Sequence, residues 1–561
     1  MHDRHSDPRI ELRRALQHNP GDAFGWILLS EHEIDAGDAQ AGAVAAQRAL
    51  ALRPGHPEAL ARLGRAQWML GRRSEAVASL CAAAANAPNH PGIAVWLGHA
   101  LEDVGEAEAA SDAYARAHAL APDEPQIAAY LLAWRRKLCD WRDLDALARQ
   151  VREAVNSARA SVEPFAFLSE DSSAVEQLRC ARLRATQIAQ AVRPLPAVSR
   201  SPSPRVQVGF LSNGFGAHPT GLLTVAMFEA LSAHDDIGIH LFALNRDDGS
   251  PIRGRLQTAA HALHDVSQQA HAQVAETIRN AGIDVLFDLR GWGGGGAPEV
   301  LAMRPAPVQV NWLAYPGTSG APWIDHVLAD AFVLPPSLQD GFSENVLRLP
   351  RCFQPSDTTR VIATPPSRIE CGLPASGVVF CCFNNSYKLN PRSMARALAV
   401  LRDVPGSVLW LLSGPGHADA RLRAFAQAQG VDPQRLVFMP KQPHAQYLAR
   451  LRHADLFLDT EPYNAHTTAS DALWAGCPVL TRPGETFAAR VAGSLNHHLG
   501  LESMNVDSDA AFVARAVALG RDPAALAALK DEVAVRRHDS GLFDMTGFAA
   551  DFAATVRAIA R

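Results

Sequence analysis

The N-terminal quarter of the chain repeats with a period of 34 residues. Prolines recur at this spacing, at Pro20, Pro54, Pro88 and Pro122. Leucines recur at the same spacing at a second position of the repeat, at Leu29, Leu63, Leu97 and Leu131. Small residues recur at two further positions of the repeat, at Gly37, Gly71 and Gly105 and at Ala49, Ala83 and Ala117. A unit of this length fits two helices, with small residues where they cross and a proline that closes the unit. The period therefore predicts a stack of helix pairs.

This pattern is the tetratricopeptide signature, and we assign residues 1–135 to tetratricopeptide repeats. Because a single pair cannot bury its apolar face, successive pairs stack into an α-helical solenoid whose concave surface usually receives a peptide or a protein. Residues 136–204 keep a helical pattern without the period, so we predict capping helices and a linker there. The segment Ser199–Pro204 ends the helical pattern, because its prolines cannot continue a helix.

Composition excludes several classes of function. The chain has 561 residues, 48% of them apolar, and a formal net charge of -5. A nucleic-acid or anionic-membrane binder needs a basic footprint, so neither is expected. Residues 1–8 hold no apolar signal core and no run of about 18 apolar residues follows, so we expect a cytoplasmic protein without a membrane contact. The cysteines show no CxxC pair, which argues against a disulfide framework and a zinc site.

From residue 205 onward, strand-like and helical patterns alternate. Apolar runs of a first series lie at 206–212, 237–243, 283–289, 308–313 and 326–329. A second series lies at 377–383, 407–412, 435–438, 455–459 and 478–481. Such alternation is typical of doubly wound parallel sheets. We therefore predict two α/β halves, 205–370 and 371–561, that face each other across a cleft.

The chemically distinctive loops follow strands of both series. Asn213–Thr220 follows the first strand, Asn384–Leu389 follows the first strand of the second half, and His466–Thr468 follows its fourth. In open α/β sheets, ligands bind beyond the carboxyl ends of strands. The last segment also begins a helix, whose free N–H groups attract anions. The sequence thus indicates a site for a nucleotide diphosphate, although each residue alone also fits an ordinary helix cap.

Seven segments in chain order resemble the protein O-GlcNAc transferase family, in particular its bacterial members with few repeats. They are 214–220, 304–309, 315–321, 383–388, 407–412, 466–476 and 483–486. The resemblance implies a GT-B fold of two Rossmann-like halves, with the nucleotide sugar bound in the second. It implies inverting, metal-independent transfer of N-acetylglucosamine from UDP-GlcNAc to Ser and Thr hydroxyls, with no cofactor. A protein or peptide acceptor along the repeat groove is the expected partner.

The resemblance also implies roles for residues of the second half. Lys388 would contact the diphosphate and stabilise the leaving group, with Asn385 beside it. The other contacts would be His466, Thr467 and Thr468 at the phosphates, Asp471 at the ribose, Gln442 at the uracil, His444 near the ribose, and Tyr447 in the place of a stacking histidine.

Two chemical solutions exist for a leaving diphosphate, a divalent metal or a fixed cation with helix N–H donors. Lys388 and the helix that starts at Thr467 fit the second solution. Paired acids at 143–145 and 507–509 lie away from the candidate strand ends. Asp284 and Asp288 share one face of a strand, where a structural role is equally expected. We therefore predict no metal site.

In the first half, the resemblance places His218 between donor and acceptor. Its imidazole would either accept a proton or position the substrate. The turn that contains Pro316, Gly317 and Thr318 would surround the sugar, although an ordinary turn has the same sequence pattern.

Two other interpretations stay open at the level of sequence. The same fold serves O-fucosyltransferases that use GDP-fucose and N-glucosyltransferases that modify Asn. A repeat scaffold that binds a nucleotide without turnover is the alternative of another class. The chain also departs from larger family members, because its connection 351–374 is short and its repeats show no regular column of asparagines.

Overall fold

The computed structural model describes residues 7–196 and 204–560, so most of the predicted linker 199–204 lies outside the described residues. The chain divides into two compact units. Met1–Val151 and Gly414–Ala418 form the first, and Arg152–Ser413 and Asp419–Arg561 form the second.

Helix pairs fill the first unit, as the 34-residue period predicts. The helices are α1 Pro8–His18, α2 Ala23–Asp35, α3 Ala39–Leu52, α4 Pro57–Met69, α5 Arg73–Asn86, α6 Pro91–Asp103, α7 Ala107–Leu120 and α8 Pro125–Lys137, and the unit ends within α9 Leu144–Asn156. The turns inside the pairs have positive φ at Gly37, Gly71 and Gly105 (87°, 73° and 82°), a backbone conformation that favours glycine. The repeating alanines at the helix crossings, Ala49, Ala83 and Ala117, are fully buried.

The first helices of successive pairs contact one another, so they line the inner face of the stack. This face carries a row of cationic and aromatic side chains. The guanidinium carbons of Arg62 and Arg65 lie 5.0 and 5.7 Å from the centre of the Trp96 ring. The His99 ring lies 6.4 Å from Trp68 and 4.9 Å from Tyr130. Aromatic and arginine side chains therefore take the place of an asparagine column.

The second unit alternates helices and strands. Its helices are α10 Pro164–Phe167, α11 Ala174–Ala191, α12 Pro219–Leu231, α13 Pro251–Ala259, α14 His271–Asn280, α15 Pro298–Ala302, α16 Pro391–Asp403, α17 Ala418–Ala428, α18 His444–Leu451, α19 Thr467–Ala475, α20 Val491–Leu499, α21 Asp509–Arg521, α22 Pro523–Asp539 and α23 Met545–Ile559. Its strands are β1 Val206–Ser212, β2 Ile237–Ala243, β3 Ala262–Asp265, β4 Val285–Asp288, β5 Val308–Asn311, β6 His326–Asp330, β7 Asn345–Leu349, β8 Val379–Cys382, β9 Val408–Leu412, β10 Leu436–Met439, β11 Leu456–Leu458 and β12 Val479–Leu480.

The strands form two parallel sheets, which confirms the GT-B arrangement. The first sheet has the order β3-β2-β1-β4-β5-β6-β7 and the second the order β10-β9-β8-β11-β12. In the first, Val208 pairs with Val285 of β4; in the second, Phe380 pairs with Leu456 of β11. The strand order reverses at these two pairs, and ligands of doubly wound folds bind at such switch points.

The C-terminal helix α23 returns to the first sheet. The Phe552 ring lies 4.9 Å from Phe287 and 5.2 Å from Trp312, both in the first half. A buried hydrogen bond of 2.7 Å from the Ser494 hydroxyl to Asp330 Oδ2 also joins the halves. These contacts fix the two halves within one unit.

Two further features bear on the expectations from composition. In the ranges 7–196 and 204–560, no helix has the length and apolar character that a membrane span requires. None of the eight cysteines, all of which lie in the described ranges, forms a disulfide; most are buried, whereas Cys81 is exposed and Cys371 is half-buried.

Candidate active site

The loops that follow β8 and β11 meet at the switch point of the second sheet, and Asn384 joins them. Its Nδ2 donates to Asp459 Oδ1 at 3.2 Å and to the Thr460 hydroxyl at 2.8 Å. Its Oδ1 accepts from the Thr468 hydroxyl at 2.7 Å. Sequence reasoning chose the neighbour Asn385, which is exposed, and missed Asn384, although Asn384 stands closer to the end of the strand.

Lys388 lies at the end of a 3-10 turn in the β8 loop and is 8% exposed. Its Nζ donates to the carbonyl oxygen of Asn464 at 2.6 Å and lies 3.8 Å from the centre of the Tyr463 ring. Burial lowers the pKa of Lys388 to about 7, although the carboxylate of Asp459 acts in the opposite direction. A group that binds here with negative charge would restore the full ammonium charge.

The carboxylate of Asp459 holds the loop between β11 and α19 in place through hydrogen bonds. Its Oδ1 accepts from the backbone N–H groups of Thr460 and Ala465, each at 2.7 Å, and its Oδ2 accepts from the Thr481 hydroxyl at 2.7 Å. Burial nevertheless raises the pKa of Asp459 to about 6. The carboxylate therefore acts as a scaffold for the loop that carries Asn464 and His466.

His466 precedes α19 and leaves the start of that helix open. Its Nε2 lies 3.1 Å from the carbonyl oxygen of Ala488, and a carbonyl only accepts, so the ring carries its proton on Nε2. Burial and the charge of Lys388 hold the pKa of His466 well below its usual value, which keeps the ring neutral. Within the described residues, the backbone N–H groups of Thr467 and Thr468 have no acceptor. An anion in this position would receive both.

Asp471 lies one turn further along α19, and two side chains contact its Oδ1. Arg360 Nη1 donates to it at 2.7 Å, and His444 Nε2 lies 3.2 Å away. Sequence reasoning brought His444 and Asp471 to one site but missed Arg360, which belongs to the connection between the halves.

Two other predicted nucleotide contacts lie on or near α18. The Tyr447 ring lies 5.8 Å from Phe383 and 6.2 Å from His444, and its hydroxyl is buried with no hydrogen-bond partner in the described chain. Gln442 precedes α18, and its side-chain amide donates to the carbonyl oxygen of Pro440 at 3.2 Å. Tyr447 thus lies next to His444, one of the two side chains that contact Asp471.

At the switch point of the first sheet, His218 caps α12. Its Nδ1 accepts from the backbone N–H of Thr220 at 3.2 Å, so the neutral ring carries its proton on Nε2. Burial lowers the pKa of His218 to about 4, and the nearby charge of Arg290 acts in the same direction. His218 is therefore a neutral hydrogen-bond donor at pH 7.

Arg290 follows β4 and opens the glycine-rich loop 291–296, which sequence reasoning did not single out. Its backbone N–H donates to Asp288 Oδ1 at 2.9 Å, and its Nη2 donates to the carbonyl oxygen of Gly294. The positive charge of Arg290 acts to lower the pKa of both His218 and Tyr463. The signal in the sequence is an arginine directly after a strand and directly before six residues that include five glycines.

The turn with Pro316, Gly317 and Thr318 follows β5 and is buried. The Thr318 hydroxyl donates to Glu344 Oε2 at 2.6 Å, and the backbone N–H of Ser319 donates to Glu344 Oε1 at 2.5 Å. Asn311 Nδ2 donates to the Gly317 carbonyl oxygen at 2.9 Å. The Thr318 side chain thus stabilises the turn. A ligand could therefore contact the backbone of Thr318 but not its hydroxyl.

The acidic residues considered for a metal have structural partners instead. Asp288 accepts from backbone N–H groups of its loop, Asp284 accepts from the Gln207 N–H at 2.8 Å, and Asp509 binds Arg396 at 2.9 Å. No three His, Cys, Asp or Glu side chains gather into a possible metal site in the part of the chain that the structure describes.

The amino-acid sequence is similar to those of known glycosyltransferases. Residues 138–364 and 358–552 match glycosyl transferase family 41. A probable UDP-N-acetylglucosamine–peptide N-acetylglucosaminyltransferase of Arabidopsis thaliana is 33% identical over 72% of this chain and 44% of its own length. A UDP-N-acetylglucosamine–peptide N-acetylglucosaminyltransferase of Caenorhabditis elegans is 26% identical over 74% of this chain and 47% of its own length. The chain thus spans less than half the length of these curated relatives.

A solved structure matches almost the whole chain. The Thermobaculum terrenum O-GlcNAc transferase, in a mutant form, aligns with a TM-score of 0.69 and 25% identity. The alignment covers 96% of this chain and 97% of that one. Both the repeat unit and the two α/β halves therefore have counterparts in one solved protein.

Proposed function

Since the chain belongs to glycosyl transferase family 41, we propose that it transfers N-acetylglucosamine from UDP-GlcNAc to Ser and Thr hydroxyls of proteins. The transfer inverts the anomeric carbon and requires neither a metal nor another cofactor. The relatives named for this activity and the solved bacterial O-GlcNAc transferase support the donor and the reaction.

One observation carries the proposal: Lys388 and the open start of α19 meet at the switch point of the second sheet. Lys388 Nζ has one carbonyl partner, the Asn464 oxygen at 2.6 Å, so two of its three N–H donors are left for phosphate oxygens. The N–H groups of Thr467 and Thr468 supply two more donors, and the helix dipole favours an anion there. The diphosphate of a nucleotide sugar fits this set of donors.

The reaction breaks the bond between the anomeric carbon and the β-phosphate oxygen. The acceptor hydroxyl attacks the opposite face of the sugar, and the negative charge that develops goes to UDP. Lys388 stabilises this charge, because a fixed cation in a water-poor site interacts most strongly with the transition state. Lys388 and Arg290, which both lie near Tyr463, provide positive charge without a metal.

His218 contributes to positioning in this scheme. With its proton on Nε2, the neutral ring donates a hydrogen bond to the sugar or the acceptor and has no free lone pair on that nitrogen. The acceptor proton passes to another base or to solvent. We also propose that the inner face of the repeats binds the protein acceptor and that the enzyme acts in the cytoplasm, away from membranes and nucleic acids.

A donor panel tests the proposal. The protein is incubated in EDTA with UDP-GlcNAc, UDP-glucose or GDP-fucose and a bacterial protein extract, and modified peptides are identified by mass spectrometry. We expect N-acetylhexosamine on Ser and Thr, released by mild alkali, only with UDP-GlcNAc. Modification with GDP-fucose, or of Asn with UDP-glucose, would assign one of the other donors instead. UDP binding without any transfer would indicate a scaffold.

A further inference from the structure

Among the described residues, only one oxygen of the Asp471 carboxylate has a hydrogen-bond partner. Arg360 Nη1 and His444 Nε2 both contact Oδ1, at 2.7 and 3.2 Å. No described residue donates to Oδ2, although the side chain is only 6% exposed. Oδ2 is not a fully enclosed atom, so a hydroxyl group of a ligand can reach it and donate to it.

The Arg360 guanidinium is held rigidly, with its side chain 2% exposed. Its Nε donates to the carbonyl oxygen of Asp357 at 2.7 Å. Its guanidinium carbon lies 5.0 Å from the centre of the Trp474 ring and 5.8 Å from that of Phe543. Aromatic contacts and one carbonyl thus fix its plane, so that Nη1 points at Asp471.

The segment that carries Arg360 is tied to both halves. Asp357 Oδ2 binds Arg255 Nη1 of α13 at 2.9 Å, and Arg255 also binds Glu229 of α12 at 2.7 Å. On the other side, the hydroxyls of Ser356 and Ser470 lie 2.8 Å apart, next to Asp471 on α19. Arg360 therefore occupies a fixed place with respect to the nucleotide half.

We propose that Arg360 is a positioning residue for nucleotide binding, which holds Asp471 Oδ1 so that Oδ2 faces the ribose hydroxyls. This inference rests on the proposed function, because it takes the ligand of Asp471 to be the ribose of a uridine nucleotide. His444 cannot replace Arg360, because its contact is longer and its side chain is 24% exposed. Arg360 itself does not touch the nucleotide; it acts through the carboxylate.

The test compares two ligands on the same protein, UDP and 2′,3′-dideoxy-UDP, by titration calorimetry. Arg360→Met should weaken UDP binding by about tenfold or more, as expected for hydrogen bonds to a charged group. The same variant should bind the dideoxy nucleotide within about twofold of the wild type, because that ligand lacks the hydroxyls that Oδ2 contacts. Arg360→Lys, which keeps a charge near Asp471, should recover part of the loss.

Two comparisons make the result specific. Asp471→Asn should reproduce the selective loss, and the double variant should lose no more, because both changes remove the same interaction. Arg255→Gln removes the pair with Asp357 but keeps the pair between Arg360 and Asp471, so its ratio of the two affinities should stay within about twofold of the wild-type ratio. The ratio is measured on one preparation, so a lower folded fraction cancels.

Equal loss of both nucleotides in Arg360→Met would show a merely structural role and overturn the inference. Unchanged UDP affinity in that variant, or a changed ratio in Arg255→Gln, would overturn it as well. If the wild-type protein binds UDP with ribose selectivity but transfers no sugar, the proposed function fails and the role of Arg360 stands. If the wild-type protein binds no UDP, both fail.

Discussion

The ammonium nitrogen of Lys388 lies 3.8 Å from the centre of the Tyr463 ring. This contact joins the β8 loop to the β11 loop, and it supports the charge without using a hydrogen-bond donor. The donors of Lys388 that Asn464 does not occupy are therefore left for a ligand. A lysine that is buried in this way but not saturated is suited to bind a group whose negative charge grows during a reaction.

Binding of UDP should take up protons at pH 8. The pKa of Lys388 is lowered to about 7, so about nine-tenths of the side chains are neutral at pH 8 before the ligand binds. The anionic diphosphate favours the ammonium form, so the pKa of Lys388 rises and between about 0.4 proton (a bound-state pKa of 8) and about 0.9 proton (a pKa well above 8) enters per UDP bound. Calorimetry in buffers of different ionisation enthalpy measures this number. Lys388→Arg, which is always charged, is the control and should show little uptake; equal uptake in both proteins would assign the proton elsewhere.

The pH profile should show no titration of His218 between pH 6 and 8. Its pKa is lowered to about 4, so the ring is neutral throughout this range and protonates only in more acid solution. We expect His218→Gln, which keeps an N–H donor, to lower kcat/KM by about tenfold, less than the 10²–10⁴ typical of a lost general base. An acid limb with an apparent pKa near 6.5 in the wild type, absent from His218→Gln, would instead make His218 the base.

Tyr447 should contribute its ring and not its hydroxyl to nucleotide binding. The hydroxyl is buried without a partner in the described chain, so Tyr447→Phe should keep the UDP affinity and raise the stability by about 1 kcal/mol. Tyr447→Ala should lose about 1–3 kcal/mol of binding free energy if the ring stacks on uracil. Equal UDP binding by all three proteins would leave Tyr447 a packing residue beside Phe383.

The inner face of the repeats should bind protein acceptors and should not affect the binding of UDP. Arg65→Ala combined with Trp96→Ala removes the cation–π contact of 5.7 Å at its centre. We expect at least a tenfold loss of transfer to proteins, with UDP affinity within about twofold. Val44→Ala, a change at an exposed residue of a second helix, is the matched control. Full transfer by the double variant would mean that the acceptor binds elsewhere.

Sequence patterns located all strands of the second sheet and the inner strands of the first sheet, but missed both edges of the first sheet. Each predicted apolar run contains an observed strand or overlaps one, for example 377–383 around β8. The strands that no run predicted are β3 and β7, which form the two edges of the first sheet. Both strands are less buried than the other strands, so they need no continuous apolar run. Residues such as His264 in β3 and Arg348 in β7 interrupt the pattern.

Contacts made by the connecting segment and by the last helix were beyond the sequence. Local patterns placed the loops of Lys388 and His466 after two strands of the second half, and the resemblance to the family added Asp471. Arg360 reaches Asp471 from a connecting segment without regular structure, and Phe552 packs on the first sheet from the last helix. Neither has a local signature, since only the packing of the two halves creates these contacts.

The turnover of UDP-GlcNAc in the presence of EDTA, measured for the wild type beside Lys388→Met, tests the metal-free mechanism most directly. We expect undiminished wild-type turnover in EDTA and a loss of about 10²–10³ in Lys388→Met, the cost typical of one preorganised electrostatic contact. The affinity of the variant for UDP should fall far less. Turnover that vanishes in EDTA and returns with Mn²⁺, or a variant within about threefold of the wild type, would contradict the role of Lys388 as the cation that stabilises the leaving diphosphate.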